Sequence, residues 1–280
     1  MTSPHQDTKN AGHASWRNKL LASYLQLPVH PGRILACGLM RKILLLREVI
    51  VPIKDGVFMQ LDPTDLIQNA LLYFGEFEPL TRALLCGLAK EAKLFVDVGG
   101  HIGLFALNVA RIVGDSGSVI VVEPNPRTFS FLLRNIDLNG LRNVQPILAC
   151  ASNRWGVIGM EMPPRHNTGL SRQSNNPAEA CYQIPCCPLA DLLKQLQAGR
   201  PDIVKIDVEG FESKVLEGLL CDPAYRPSNI IMEYLPRQFS EAENAVTLVR
   251  QAGYRLFDVN GHTWDTSAAP PEDNLWARLD

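Results

Sequence analysis

Little in this 280-residue chain suits a membrane span, a disulfide framework or a nucleic-acid surface. Residues 1–18 are polar and mixed and lack the apolar core of a secretory signal. The most apolar early run, Ile34–Leu46, is interrupted by Arg41 and Lys42. It also falls short of the roughly 20 apolar residues that cross a bilayer, so neither a transmembrane segment nor a membrane partner is expected. The seven cysteines are odd in number and contain no Cys-x-x-Cys pair. Several sit inside apolar runs, as buried free thiols do, which fits a reducing cytoplasm better than secretion. Cys186-Cys187 reads as strand packing rather than a redox pair. Neither the cysteines nor the six histidines show zinc-ligand spacing, so no structural metal is expected. Lys plus Arg number 27 against 29 acids, a net charge of -2. The basic residues look dispersed, which speaks against a nucleic-acid substrate.

What the chain does have is core material. Hydrophobic residues make up 46% and charged residues 20%, enough to bury a sizeable core and to exclude a disordered or fibrous chain. Residues 1–15 read as a loose tail. A helical stretch over 15–46, broken at Pro28 and Pro31, reads as an accessory cap, so that 1–48 is tail and cap and 49–280 the main domain. The apolar stripe Leu35–Leu46 is expected to be a packed cap or a homodimer surface rather than a membrane anchor. Val49–Ile53 and Val57–Leu61 flank Lys54-Asp55-Gly56, a hairpin signal because Asp-Gly accepts the positive φ of a tight turn. Helical spacing follows over Leu66–Phe74 and Pro79–Lys90.

From Lys93 onward short Val/Ile/Leu strands alternate with amphipathic helices. The strands are expected at Leu94–Val98, Ser118–Val122, Val144–Cys150, Ile203–Val208, Ile230–Glu233 and Tyr254–Val259. Helices are expected near 102–113, 126–138, 211–220 and 238–252. Such a rhythm implies an α/β fold with a parallel sheet covered on both faces. The Pro-, Asn- and Ser-rich stretch Pro163–Ala180 reads as a long substrate loop.

Two motifs carry chemistry. Asp97-Val98-Gly99-Gly100-His101-Ile102-Gly103 follows a strand and opens a helix, where glycines let a ligand approach the backbone. Glu123 ends the next strand, twenty positions after Gly103, where a carboxylate accepts hydrogen bonds from ribose hydroxyls; Pro124 and Asn125 follow it. A dinucleotide fingerprint would need glycine at position 98, which is Val98. A carboxylate at Asp97 would also repel a pyrophosphate by roughly 4 kcal/mol at about 4 Å and an effective dielectric near 20. S-adenosylmethionine carries an ammonium and a sulfonium instead, so it is favoured over NAD, and an NAD-dependent oxidoreductase is disfavoured. Asp97, Gly99, Gly100, His101, Gly103, Glu123, Pro124, Asn125 and Asp207 are the expected cofactor-binding residues.

The second motif is Ile203-Val204-Lys205-Ile206-Asp207-Val208-Glu209-Gly210. Strand alternation points Lys205, Asp207 and Glu209 roughly to one side, and charges ending an apolar strand are costly unless they pair or serve a ligand. Asp207 is expected beside the methyl donor and Glu209 nearer the acceptor, acting as general base or as a pair holding a divalent ion such as Mg²⁺. His166, in the loop Pro164–Gly169, is a further candidate base, while His101 is expected to shape the cofactor loop.

Asp97-x-Gly99-x-x-x-Gly103 followed by Val121-Val122-Glu123-Pro124-Asn125-Pro126 resembles a class I methyltransferase. The run Ile203–Glu212 narrows the resemblance to the FkbM family of O-methyltransferases. Phe74-Gly75-Glu76-Phe77-Glu78-Pro79, Asn139-Gly140-Leu141 with Asn143-Val144, and Ile230-Ile231-Met232-Glu233 are also similar to that family, over roughly residues 49–260. The chain departs from it at Gly99-Gly100-His101, where members often have Gly-Ala-Asn, and at Ala151-Ser152, where they often have Gly-Asp. The resemblance implies a Rossmann-like fold with a mostly parallel seven-stranded sheet, preceded here by a helical and hairpin extension. It also implies adenosylmethionine-dependent methylation of a hydroxyl on a sugar, glycan or secondary metabolite. A non-catalytic adenosylmethionine-binding scaffold is the alternative, against which the retained Asp97, Glu123, Asp207 and Glu209 argue.

Overall fold

A computed structural model describes residues 16–25, 27, 30–44, 48–161, 182–236, 242–265 and 269–279. Helices α1 (Trp16–Leu25) and α2 (Arg33–Leu44) precede a hairpin of β1 (Val49–Pro52) and β2 (Phe58–Leu61). The hairpin turn has the expected chemistry, with Asp55 at φ 66° and Gly56 at φ 74°. Helices α3 (Leu66–Phe74) and α4 (Pro79–Leu88) lead into β3 (Leu94–Val98), α5 (Leu104–Val113), β4 (Ser118–Val122), α6 (Pro126–Leu138) and β5 (Val144–Ile147). Three short strands follow, β6 (Cys150–Ser152), β7 (Gly156–Met160) and β8 (Tyr182–Pro188). The chain then runs through α7 (Leu189–Gln195), β9 (Ile203–Ile206), α8 (Glu212–Leu220) and β10 (Asn229–Glu233). It finishes with α9 (Ala242–Gln251), β11 (Tyr254–Asp258) and β12 (Asn274–Leu279).

Seven strands form one sheet in the order β11-β12-β10-β9-β3-β4-β5, and only β12 runs against its neighbours. Period-two alternation sorts the side chains between two cores. Phe95, Val119, Val121, Ile203 and Ile231 face α5, α6, the hairpin and the N-terminal helices. Leu94, Val96, Val98, Val204, Ile206 and Met232 face α7, α8 and α9. The remaining strands, β6-β8-β7, make a small separate sheet with its own apolar patch around Ile158, Met160 and Ile184.

The mostly parallel, doubly covered sheet agrees with expectation, and four details differ. The expected strand Val144–Cys150 is two strands in two sheets. The Ala149 N–H turns back onto the Ile147 carbonyl at 3.1 Å, and Cys150–Ser152 pairs with β8 instead. The expected strand Ile203–Val208 stops at Ile206, because the Val208 and Gly210 N–H groups are taken by the Glu212 carboxylate, each at 3.2 Å. Alternation therefore does not extend to Glu209, whose φ of 54° belongs to a turn. Strands β7, β8 and β12 and helix α7 were not expected, although Cys186-Cys187 does pack within a strand and both are buried. Of the two expectations for the stripe Leu35–Leu46, a packed cap holds along one side of α2 only: Cys37 and Leu44 face the core, while Leu35, Leu39 and Ile43 are 78%, 57% and 70% exposed. A helix with apolar residues on more than one side can bury only the side it turns to the domain.

The hairpin is pinned to the main domain by asparagines. Asn135 on α6 accepts from the Gln60 N–H at 2.7 Å and donates to the Ile102 carbonyl at 3.0 Å. Asn139 accepts from the Phe58 N–H at 2.9 Å and donates to the Phe58 carbonyl at 2.7 Å. Asn143 closes the end of α5 by donating to the carbonyls of Ala110 and Gly114.

Candidate functional site

A cavity of about 470 Å³ opens at the carboxyl ends of β3, β4, β9 and β10, where chain order reverses across the sheet. Open parallel sheets bind ligands there. Gly99 makes that crevice possible. At φ 80° a side chain would be strained, and an added Cβ would lie 1.8 Å from the Asp207 carbonyl oxygen. The turn after β3 thus rests directly on the backbone leaving β9. Gly103, at φ 93°, starts α5 against Leu107 and Leu132.

Glu123 is 5% exposed at the end of β4. One carboxylate oxygen accepts from the Asn125 N–H and the Thr128 hydroxyl, both at 2.8 Å, and the other accepts from the His101 N–H at 2.8 Å. Burial pushes its carboxyl up to about 7, and these three donors pull against that shift. With two lone pairs per oxygen, the described contacts leave the second oxygen a further acceptor position, and Glu123 lines the cavity. Burial lowers the His101 pKa and favours its neutral ring, against the pull of Asp65 and Asp207.

The second half of the cavity is built around Lys205, only 1% exposed. It donates to Asp207 at 2.7 Å and lies 4.7 Å from the centre of the Phe105 ring. Burial opposes its charge, but Asp207, Asp97 and Glu78 together hold the ammonium above its ordinary pKa. Asp97 pairs with Lys205 in register across β3 and β9 and is 1% exposed. Neither of its oxygens meets a full hydrogen bond among the described residues, although the Ala106 N–H favours the charged form. Burial raises Asp97 to about 6, with Lys205 opposing and Asp207 adding to the shift.

Two acids that lie in family-like runs of the sequence, but to which no site role was assigned, complete the wall. Glu233 ends β10, and burial followed by repulsion from Asp207, Glu209 and Glu212 pushes its carboxyl up to about 9. Its second oxygen has no partner among the described residues. Glu78 enters α4 at φ 44° and accepts from the Asn274 side chain at 3.0 Å. It does not cap its own helix. Glu272 does so from the far end of the chain, accepting from the Leu80 N–H at 2.9 Å and the Thr81 N–H at 2.8 Å. That leaves the Glu78 carboxylate turned to the cavity, where burial pushes it up to about 7.

The cavity therefore gathers Gly99, Gly100, His101, Glu123, Pro124, Asp207 and Glu209 in its wall. Asp97, Gly103 and Asn125 are not in that wall: Asp97 lies beside Lys205 on the neighbouring strand, Gly103 caps the start of α5, and Asn125 caps α6 by accepting from the Arg127 N–H at 2.9 Å. His166 and the loop Pro163–Ala180 lie outside the described residues. Among the described residues no three His, Cys, Asp or Glu side chains are grouped to hold a metal ion, and no helix is long and apolar enough to cross a membrane.

The chain is similar to known methyltransferases. Residues 97–256 match the model of the methyltransferase FkbM domain. The chain is 32% identical over 136 residues to the hexuronic acid methyltransferase AglP of Haloferax volcanii, covering 49% of this chain and 54% of that protein. It is 26% identical over 205 residues to methyltransferase 1 of Beauveria bassiana, covering 66% of this chain and 80% of that protein. The match thus spans about half the length of the first relative and more of the second. Methyltransferase FkbM from Methylobacillus flagellatus is a similar solved structure, at 16% identity and a TM-score of 0.46 over 94% of this chain and 59% of that one. The family match takes in more than half of the chain, including the glycine turn, Glu123 and the Lys205–Glu209 run, so this protein belongs to the FkbM methyltransferase family and has the class I methyltransferase fold.

Proposed function

We propose that the protein transfers the methyl group of S-adenosylmethionine to a hydroxyl of a sugar, glycan or secondary metabolite. The observation that carries this reading is a single cavity with two unlike halves. One half is a glycine turn with an acid at the end of β4, suited to a nucleoside. The other is a ring of carboxylates around one buried lysine. The fit to adenosylmethionine rests on the backbone approach at Gly99, the remaining acceptor position on Glu123, and an acidic wall suited to a cationic ligand. When bound, the cofactor supplies an electrophilic methyl group on a positively charged sulfur.

The side chains divide the remaining work. Lys205 holds Asp207 in place, which fixes a negative charge beside the reacting centre without a mobile counter-ion. Glu233, raised to about 9, stays protonated at neutral pH and can donate a hydrogen bond to an acceptor oxygen. The proton leaving the acceptor hydroxyl needs a base in reach. Glu209 is the first candidate, and Glu78, raised to about 7, is a second. His166 is the next residue in line. With Glu233 neutral, Glu78, Asp207 and Glu209 against the one cation of Lys205 suit a neutral polyol better than an anionic acceptor.

Calorimetric titration with adenosylmethionine, adenosylhomocysteine and NAD, followed by labelled-methyl transfer to a panel of hydroxylated acceptors, tests the reading. Micromolar binding of the first two and transfer to oxygen are expected. Binding of NAD alone, or cofactor binding without transfer to any acceptor, would overturn it. On a verified acceptor, Glu209→Gln should lower turnover by about 10²–10⁴ with little change in cofactor affinity. Full turnover in that variant moves the base to Glu78 or His166. Activity lost on chelation and restored by Mg²⁺ would make Asp207 and Glu209 metal-holding residues instead.

A further inference from the structure

The basic residues of the chain are not evenly spread. Thr8–Arg47 contains Lys9, Arg17, Lys19, Arg33, Arg41, Lys42 and Arg47 and not one acid, while the other 20 of the 27 bases share the rest of the chain with all 29 acids. This positive segment contains α1 and α2. Each helix turns large apolar side chains to solvent. On α2 they form a straight i, i+4, i+8 row of Leu35, Leu39 and Ile43, with Ile34 beside it at 54% exposure. On α1, Trp16 is 67% and Leu20 50% exposed, again one turn apart. Arg17, Lys19 and Lys42 are exposed on the same helices. Arg33 is different. It is buried and donates to the carbonyls of Leu25 and Leu27, tying the end of α1 to the start of α2.

We infer that the α1–α2 cap docks on the surface of an anionic lipid bilayer. An apolar row along α2 with Lys42 beside it, and an exposed Trp on α1 flanked in sequence by Arg17 and Lys19, is the composition of helices lying in the bilayer interface. A 12-residue helix is about 18 Å long against a hydrocarbon core of about 30 Å, so α2 lies along that interface and does not span it. The charge distribution selects this occupant over a second copy of the chain. A two-fold dimer sets the same patch against itself, which here brings two acid-free basic segments together. An anionic lipid surface instead attracts the cap and repels the acid-rich remainder, which orients the domain away from the membrane.

Flotation of the 280-residue chain with vesicles tests this, using phosphatidylcholine alone and phosphatidylcholine mixed with phosphatidylglycerol. Binding to the mixed vesicles and none to phosphatidylcholine alone is expected. The triple variant Leu35→Gln/Leu39→Gln/Ile43→Gln should weaken that binding about tenfold or more, and so should Arg17→Glu/Lys19→Glu/Lys42→Glu. The three apolar residues are exposed, so the glutamine variant should melt near the parent, whereas Arg17 donates to the Leu44 carbonyl at 3.4 Å and its reversal should cost some stability; either variant alone suffices if the other misfolds. Absence of binding to the mixed vesicles overturns the proposal, as does binding that both variants retain. A dimer in solution that the glutamine variant converts to monomer, without vesicle binding, assigns the face to a second copy instead.

Discussion

Glu123 serves two tasks at once. Its carboxylate holds the turn from β4 into α6 and the glycine turn after β3 through three accepted hydrogen bonds, and it also lines the cavity. Glu123→Ala should therefore weaken adenosylmethionine binding by at least about tenfold and also lower stability, since three donors lose their partner at a cost of about 2 kcal/mol or more. Calorimetry and thermal unfolding on the same preparation check both; unchanged affinity in a folded variant would remove Glu123 from the cofactor site. Glu233 gives a pH signature. Its carboxyl is raised from 4.5 to about 9, so the native state holds a proton that the unfolded chain releases above about 4.5. Its contribution to stability is complete below pH 4.5 and is lost as pH rises toward 9. Glu233→Gln, which stays neutral, should melt progressively higher than the parent as pH rises through that window, by on the order of 2 kcal/mol at its upper end after allowance for partial exposure. A difference independent of pH would show that Glu233 does not titrate there. Asp97, Glu123, Asp207 and Glu209 were legible in the sequence because acids at strand ends beside glycines stand out locally. Glu78 and Glu233 stood in family-like runs, but their place in the cavity was not legible, because their burial and neighbours come from distant segments.

Helix α4 shows the same dependence on distance at the level of an element. Its start lacks a capping side chain of its own, and Glu272 supplies one across about 190 positions of chain. Glu272→Ala should cost about 1–2 kcal/mol, read as a lower unfolding midpoint. It should also slow methyl transfer, because Glu78 would then be drawn toward the uncapped helix end. A variant with unchanged stability would remove the capping role. Elements with a strong local rhythm were readable: β3, β4, α3 and α6 fall where the apolar spacing puts them. The junction of β5 and β6 was not, since an apolar run continues across it while the backbone changes sheets. Strand β12 has Trp276 and Arg278 partly exposed between the buried Leu275 and Ala277, and so lacks the continuous apolar run of its neighbours. The end of β9 was missed because Glu212 diverts two ladder donors, a competition that spacing does not reveal.

Across the whole molecule, the two cores divide the work. The core facing α5 and α6 includes residues of the hairpin and N-terminal helices, and the face holding Asp97 and Lys205 belongs to it. The other core holds the sheet against α7, α8 and α9. Strand β12 lies inside the sheet, between β10 and β11, and β11 reaches the rest of the sheet only through it. A chain emerging from the ribosome presents β11 some twenty residues before the strand that must receive it. Until Leu279 has cleared the exit tunnel, the edge of β10 is open and β11 has nowhere to dock. Closure of the sheet thus waits on residues 274–279, and a chain cut short before them would carry an unpaired, aggregation-prone strand edge.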